Sequence, residues 1–284
     1  MSGTAPTDRS AQAFAFLQQL ASDMSRGQVS FPTFVDAALR VRMALNDPNV
    51  DVEHLARIIA GEPLLSARLV RLANSAALNR GGAQIADLRT AVMRVGFSAV
   101  RTTAAALAME QVRASKELQQ FPEEAERTWR HSLQVAAIAH LLARVLTRVN
   151  ADEALFAGLV HDIGRFYLLS RAAGYPGLGD RRDELEALVF EWHASIGQSI
   201  LGSFQVPDSV LDAVGNHEAP VAAYPPRTLA DVIALANRLA HRPTPLGPGD
   251  ATPGAEALPG EDELQALLAE HAEELRSLVA ALGH

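Results

Sequence analysis

Residues Leu155–Ser170 read LFAGLVHDIGRFYLLS. Leu155, Leu159, Phe166 and Leu169 recur at helical spacing, which predicts one buried helix begun by Asp152. That helix carries two polar groups that packing does not require, His161 and Asp162. Adjacent side chains on a helix diverge by about 100°, so the pair flanks one ridge, and an ion or phosphate over that ridge would touch both. Gly158 and Gly164 each cost a helix roughly 1 kcal/mol against Ala, so their use predicts close approach of another helix or a ligand. Two readings stay open: a ligand-binding pair, or a core histidine beside an Asp162 paired with Arg165 one turn on.

Outward from this stretch, almost every segment has helical period and none alternates over a strand length, so the fold is expected to be all-α. Thr7 or Asp8 is placed to cap a first helix carrying Phe14, Leu17 and Leu20. Pro32 opens a second to about Asn46, with Val35, Leu39 and Met43 in a stripe. Asp51 caps a short helix, Pro63 starts one reaching Leu78, and Asp87 caps one that Gly96 ends. A small-residue helix follows from Ser98 to Ala114. Pro122 opens a long helix to Leu146, and beyond the central stretch helices are expected at 181–191, 193–204, 208–218 and 227–241. Residues 242–260 are rich in proline and glycine and read as a linker or mobile loop. A last amphipathic helix spans 261–282, with Leu264, Leu268, Leu275 and Leu282 on one face. The expected division is an N-terminal helix (1–27), a first helical lobe (28–118), a second lobe (119–241), the linker (242–260) and the C-terminal helix (261–284).

Composition narrows the function. Cysteine is absent, which excludes disulfides, thiolate metal sites and cysteine nucleophiles and suits a reducing cytoplasm. No run of about 18 apolar residues exists and residues 1–13 lack a basic start, so neither a membrane span nor a signal peptide is expected. A net charge of −8 argues against broad nucleic-acid binding. Residues 57–113 hold eight arginines against Glu62, Asp87 and Glu110, which reads as a solvated helix face. Residues 255–284 hold seven acids against Arg276, so the last helix is expected to dock on the basic lobe.

Chemistry collects in the second lobe. His131 shares a helix face with Val135, Ile138 and Leu142 and so points inward. His193 lies in EWHASIGQSIL, His217 in VGNHEAP, and Asn237 in VIALANRLAHR. Four histidines and an aspartate on consecutive helices form a donor set that suits zinc, iron, manganese or nickel more than calcium or magnesium.

HDIGR at 161–165, preceded by His131 and followed by His193 and His217, resembles the HD phosphohydrolase superfamily. The first lobe narrows the likeness. FPTFVDAALRVRMALNDPNVDVEHLARIIAGEPLLSARLVRLANSAAL followed by LRTAVMRVG resembles the HDOD domain, the HD-related output domain of bacterial signalling, over about residues 28–241. This resemblance implies an all-α, two-lobed helical fold and a cytoplasmic regulatory module that works by contact with signalling proteins, without membrane or nucleic-acid binding. Carried over residue by residue, the hydrolase metal set maps to His131, His161, Asp162, His193, His217 and a final aspartate, where this chain has Asn237. Asn216-His217 stands where the related HD-GYP phosphodiesterases favour a His-His pair, and Gly174-Tyr175-Pro176 follows the HD helix rather than His217. The resemblance therefore implies a degenerate pocket of His131, His161, Asp162, Arg165, His193, His217 and Asn237, with no catalytic residue and no cofactor expected. The alternatives are a residual metal-dependent phosphohydrolase on nucleotides or cyclic dinucleotides, holding a divalent transition metal on the four histidines and Asp162, and a nucleotide-binding sensor without hydrolysis.

Overall fold

In the computed structural model, helices make up the regular structure among the described residues, which are 6–26, 41, 44–45, 47, 49–79, 82–204, 206–221, 224–249 and 258–283. An isolated bridge between Thr244 and Gly247 is the sole β pairing among them. None of their helices is long and apolar enough to cross a membrane.

α1 (Pro6–Ser25) includes Thr7 and Asp8 in its helical stretch, so neither caps it. It buries Phe16 and Leu20, sets Phe16 edge-on to Tyr175 with ring centroids 5.3 Å apart, and pairs its buried Asp23 with Arg171. The expected helix carrying Val35, Leu39 and Met43 lies outside the described residues.

The first lobe comprises α2 (Val52–Ala60), α3 (Pro63–Ala73) and α4 (Leu88–Arg113). Asp51 and Asp87 cap α2 and α4 by accepting from the backbone N–H of His54 and Thr90. α3 stops at Asn74, short of the expected Leu78. The Asn74 amide donates to the carbonyls of Val70 and Ile85 and accepts from the N–H of Ile85, which turns the chain there. α4 is interrupted where the sequence placed a helix end: Gly96 has φ +77°, a left-handed conformation open to glycine.

The second lobe comprises α5 (Pro122–Leu146), α6 (Ala151–Val160), α7 (Ile163–Ala172), α8 (Arg182–Ser203), α9 (Asp208–Gly215) and α10 (Leu229–Ala240). The single helix expected through 155–170 is two helices broken at His161-Asp162. Each half is pinned to a different neighbour through a glycine. A Cβ on Gly158 would lie 2.7 Å from the Ala136 Cα on α5, and one on Gly164 would lie 2.0 Å from the His193 carbonyl oxygen on α8. The chain turns between these contacts, and the turn thrusts His161 and Asp162 into the lobe. α8 corrects the sequence reading in the opposite sense. The two helices expected at 181–191 and 193–204 are one, because Leu185, Val189, His193, Ile196 and Ile200 form an unbroken buried stripe with no proline among them. His193 therefore sits in mid-helix.

α11 (Glu261–Glu270) and α12 (Ala272–Gly283) replace the single C-terminal helix, with a break at His271. α12 packs against α3, α4 and α5, so it touches both lobes. It buries Leu275, Leu278 and Leu282, pairs the buried Glu274 with Arg144, and accepts a 3.2 Å hydrogen bond from Arg68 on the Leu282 carbonyl. Within the expected linker, residues 244–247 make a tight turn onto which Gln134 donates through the Leu246 carbonyl at 3.3 Å; 250–257 lie outside the described residues.

Candidate functional site

Five helices deliver the polar groups to one pocket. α5 brings His131, the α6–α7 turn brings His161 and Asp162, α7 brings Arg165, α8 brings His193 and α10 brings Asn237. His217 and Glu218 follow the end of α9. All the residues singled out from the sequence meet here, and His161, Asp162, His193, His217 and Asn237 are buried. Asn216 does not join them: it is exposed and donates to the Asp212 carboxylate at 2.9 Å. Tyr175 belongs to the contact with α1.

Three imidazoles are held in the same way. The Nδ1 of His161 lies 2.7 Å from the Gly158 carbonyl, that of His217 2.6 Å from the Val214 carbonyl, and that of His193 2.8 Å from the Phe190 carbonyl. A carbonyl only accepts, so Nδ1 carries the proton and, in a neutral ring, Nε2 is left with its lone pair facing inward. His193 and His217 then present two Nε2 atoms to each other 3.0 Å apart. A proton on one of them, or a cation between them, removes the repulsion. The Nε2 of His161 is buried and has no hydrogen-bond partner among the described residues.

Asp162 links two halves of the pocket. Its Oδ2 lies 3.5 Å from His161 Nε2, while its Oδ1 lies 3.5 Å from His193 Nε2, 3.6 Å from His217 Nε2 and 2.9 Å from Arg165 Nε. Burial alone would raise the Asp162 pKa, but the Arg165 guanidinium and His161 outweigh it and hold the carboxyl well below its usual range. Burial drives His161 down to about 3, so it is neutral near pH 7. His217 goes the other way: burial works against its charge, but its contact with Asp162 raises it.

The first half contains His131, His161 and Asp162 Oδ2. His131 Nε2 lies 2.7 Å from Asn237 Oδ1, and Asn237 in turn donates to the His217 carbonyl at 3.3 Å. The second half contains Asp162 Oδ1, His193, His217 and a residue that sequence reasoning missed, Glu218. Glu218 Oε1 lies 3.4 Å from His193 Nε2, 3.6 Å from His217 Nε2 and 3.5 Å from Arg165 Nη2. Burial opposes its ionisation, yet His193 and His217 draw its pKa down to about 2. Its signal in the sequence was only adjacency to His217 in NHEAP. α9 ends at Gly215, so 217 and 218 leave helical spacing, and Glu218 reaches His193 and His217 with one oxygen while its side chain stays partly exposed. His241, stacked on His131 at 4.4 Å, was also missed.

The donor set fits a divalent transition metal. Within His131–His161–Asp162, and again within Asp162–His193–His217, the ligand atoms lie within 4.8 Å of one another. The orphaned His161 nitrogen and the facing Nε2 pair are lone pairs in excess of the protons available to them.

Known proteins place the fold. A crystal structure of a candidate metal-dependent phosphohydrolase from Shewanella amazonensis SB2B matches with a TM-score of 0.75 at 22% identity, over 96% of this chain and 99% of that one. An HDOD domain protein of unknown function from Geobacter sulfurreducens matches with a TM-score of 0.65 at 22% identity, over 98% of both chains. A candidate signal-transduction protein from Marinobacter aquaeolei VT8 matches at 0.63 and 22%, over 96% of this chain and 66% of that one. An uncharacterized protein of Treponema pallidum (strain Nichols) is 23% identical in an alignment of 237 residues that covers 77% of this chain and 44% of that protein, so the match spans less than half of that relative. The HDOD domain family is matched by residues 31–220, two thirds of the sequence, and the chain belongs to that family.

Proposed function

We propose that this chain is a regulatory module of bacterial signal transduction that acts through contacts with other proteins and whose HD pocket does not turn over phosphate esters. The observation that carries this reading is the 2.7 Å contact between His131 Nε2 and Asn237 Oδ1. An amide oxygen accepts, so the His131 Nε2 facing it carries a proton and is withdrawn as a ligand. Asn237 itself brings no charge to offset a cation. The first half of the pocket therefore lacks two of the donors that a second ion would need, and in-line displacement of a phosphate ester between two ions is lost with them. Family membership and the likeness to a candidate signal-transduction protein support the regulatory role. Phe190, 59% exposed and with its ring 6.0 Å from that of His193, offers an apolar contact beside the pocket. The test is an assay with cyclic dinucleotides and simple phosphate esters in the presence of Mn²⁺, Fe²⁺ or Ni²⁺. No turnover is expected. Turnover that vanishes in both His161→Ala and Asp162→Ala, with the fold intact, refutes the reading.

The alternative is a residual metal-dependent phosphohydrolase, and the unpartnered Nε2 of His161 favours it. His161, Asp162, His193 and His217 would hold the ion, which supplies Lewis acidity and an activated water when bound. Arg165 would hold a phosphoryl oxygen. The same assay separates the two readings.

A further inference from the structure

Two helices on different lobes carry opposite charge. α4 holds four arginines against Glu110 alone, and α8 holds four acids against Arg182 alone. Much of this charge is matched within the chain: Arg89 pairs with Glu53, Arg113 with Glu126, Glu184 with Arg181 and Glu186 with Arg127. Arg94 on α4 and Glu191 on α8 are exposed and have no ion-pair partner among the described residues. The residues beside these two charges are apolar. Successive side chains on a helix turn by about 100°, so Glu191 points away from the buried stripe of Val189, His193 and Ile200, with Phe190 and Trp192 on its flanks. Phe190 is 59% exposed and Trp192 39%. Ala187 and Ser195, one turn before and after Glu191, are exposed and small, so nothing tall stands between the rings. On α4, Met93 is 50% exposed and adjoins Arg94 in the last turn before the kink at Gly96. The space beside the kink is open, since a Cβ on Gly96 would meet nothing within 4 Å.

Exposed apolar residues scattered singly need no account. Here they sit beside unmatched charges, and the two charges are of opposite sign. α8 packs chiefly against α7 and α9, so α4 of the same chain does not cover this face. Each face supplies what the other lacks. Arginine stacks on aromatic rings and pairs with a carboxylate, and methionine packs against ring edges. Like faces do not fit: two α8 helices would bring Glu191 against Glu191, and two α4 helices would bring arginines together. We propose that copies of this chain associate through α4 of one copy and α8 of another, with Arg94 seated on Glu191 between Phe190 and Trp192 and Met93 packed against a ring. A contact made by one pair of helices is smaller than a standard interface, so a dissociation constant of about 10 µM is expected. Self-association goes beyond the regulatory reading and does not rest on it.

The test is sedimentation equilibrium of the full chain from about 1 to 200 µM, at about 0.05 M and about 0.5 M salt. The mean mass of the wild type is expected to rise with concentration from the 30.4 kDa of one chain to that of a dimer or more, and to fall back at the higher salt. Glu191→Arg and Arg94→Glu should each weaken association at least about tenfold, because each sets like charges face to face. Trp192→Ala keeps the charge and should weaken it about threefold or more. The double variant Arg94→Glu/Glu191→Arg exchanges the two charges and should recover to within about threefold of wild type. All three positions are exposed, so melting temperatures should match the wild type. A wild type that stays monomeric throughout overturns the proposal. So does association that any of the single substitutions leaves untouched, or a double variant as weak as Glu191→Arg, which would show that the two charges do not meet. Failure here is distinct from failure of the regulatory reading, which falls only if phosphate esters are turned over.

Discussion

Gly164→Ala probes the contact that builds the pocket. An added Cβ would stand 2.0 Å from the His193 carbonyl oxygen, 2.8 Å from its carbon and 2.9 Å from the Gly197 nitrogen. All three are backbone atoms, so no side chain can swing aside. Reaching ordinary contact requires α7 and α8 to part by roughly 1 Å or more, in an interior packed like a crystal. Overpacking of this kind costs about 1–3 kcal/mol, and a rigid backbone obstacle places it at the upper end. Better helix propensity returns about 1 kcal/mol. The net loss is then about 2 kcal/mol, or a Tm lower by about 4–8 °C for a protein of this size. Urea denaturation and thermal melts measure it directly. The control is Gly202→Ala on the partner helix α8, where an added Cβ meets nothing within 4 Å; it should be neutral or stabilising by up to about 1 kcal/mol. A Gly164→Ala protein as stable as wild type, or an equal loss in both variants, refutes the account of how the turn at His161-Asp162 is held.

Three further outcomes follow from the same structure. Asp162→Ala strips the half-buried Arg165 of its nearest partner and should lower stability by about 3 kcal/mol, moderated by Glu218; an unchanged urea midpoint contradicts it. Leu278→Ala, at a position 3% exposed, should cost about 2–5 kcal/mol and speed proteolysis within 258–283, whereas wild-type resistance there would show that α12 does not depend on this contact. Burial opposes the ionisation of Asp231, but the N–H groups of Arg227 and Thr228 outweigh it and lower its pKa below 3.8. A depressed carboxylate stabilises the fold above its unfolded pKa and loses that contribution as pH falls through the folded value. The capping box of α10 should therefore loosen below pH 3.8, and Asp231→Asn should flatten that part of the acid-denaturation profile; an unaltered profile would sink the assignment.

Helix type and inward faces were legible because they depend on periodicity alone: Leu55, Leu69, Leu155, Leu159 and Leu264 are all buried as their spacing requires. Boundaries failed where tertiary contact overrides local preference. Nothing in LFAGLVHDIGRFYLLS breaks a helix strongly enough to announce a turn at His161, because the cause lies on α5 and α8, at Ala136 and His193. The false break at Trp192 arose from treating His193 as a helix start, when no glycine or proline stood there to justify it. Glu218 was hidden for a third reason. It is one exposed-looking acid among many, and only the path of the chain after Gly215 gives it a place beside His193 and Glu218's own neighbour, His217.

The pocket's chemistry turns on where its carboxylates lie rather than on how many it has. Asp162 divides its two oxygens between two sets of imidazoles. On the Oδ2 side, Asn237 ties up His131 and leaves His161 with a bare nitrogen and no second acid. On the Oδ1 side, Glu218 adds a second carboxylate, and Arg165 reaches in to balance it. An enzyme that clamps both the attacking and the leaving oxygen of a phosphate needs both sides complete. Arg165 also borders a cleft in which Arg127 and Arg182 already pair with Glu186 and Glu124. The regulatory reading proposed above rests on that asymmetry, because the Oδ2 side lacks the second acid and the free imidazole that a second ion would need.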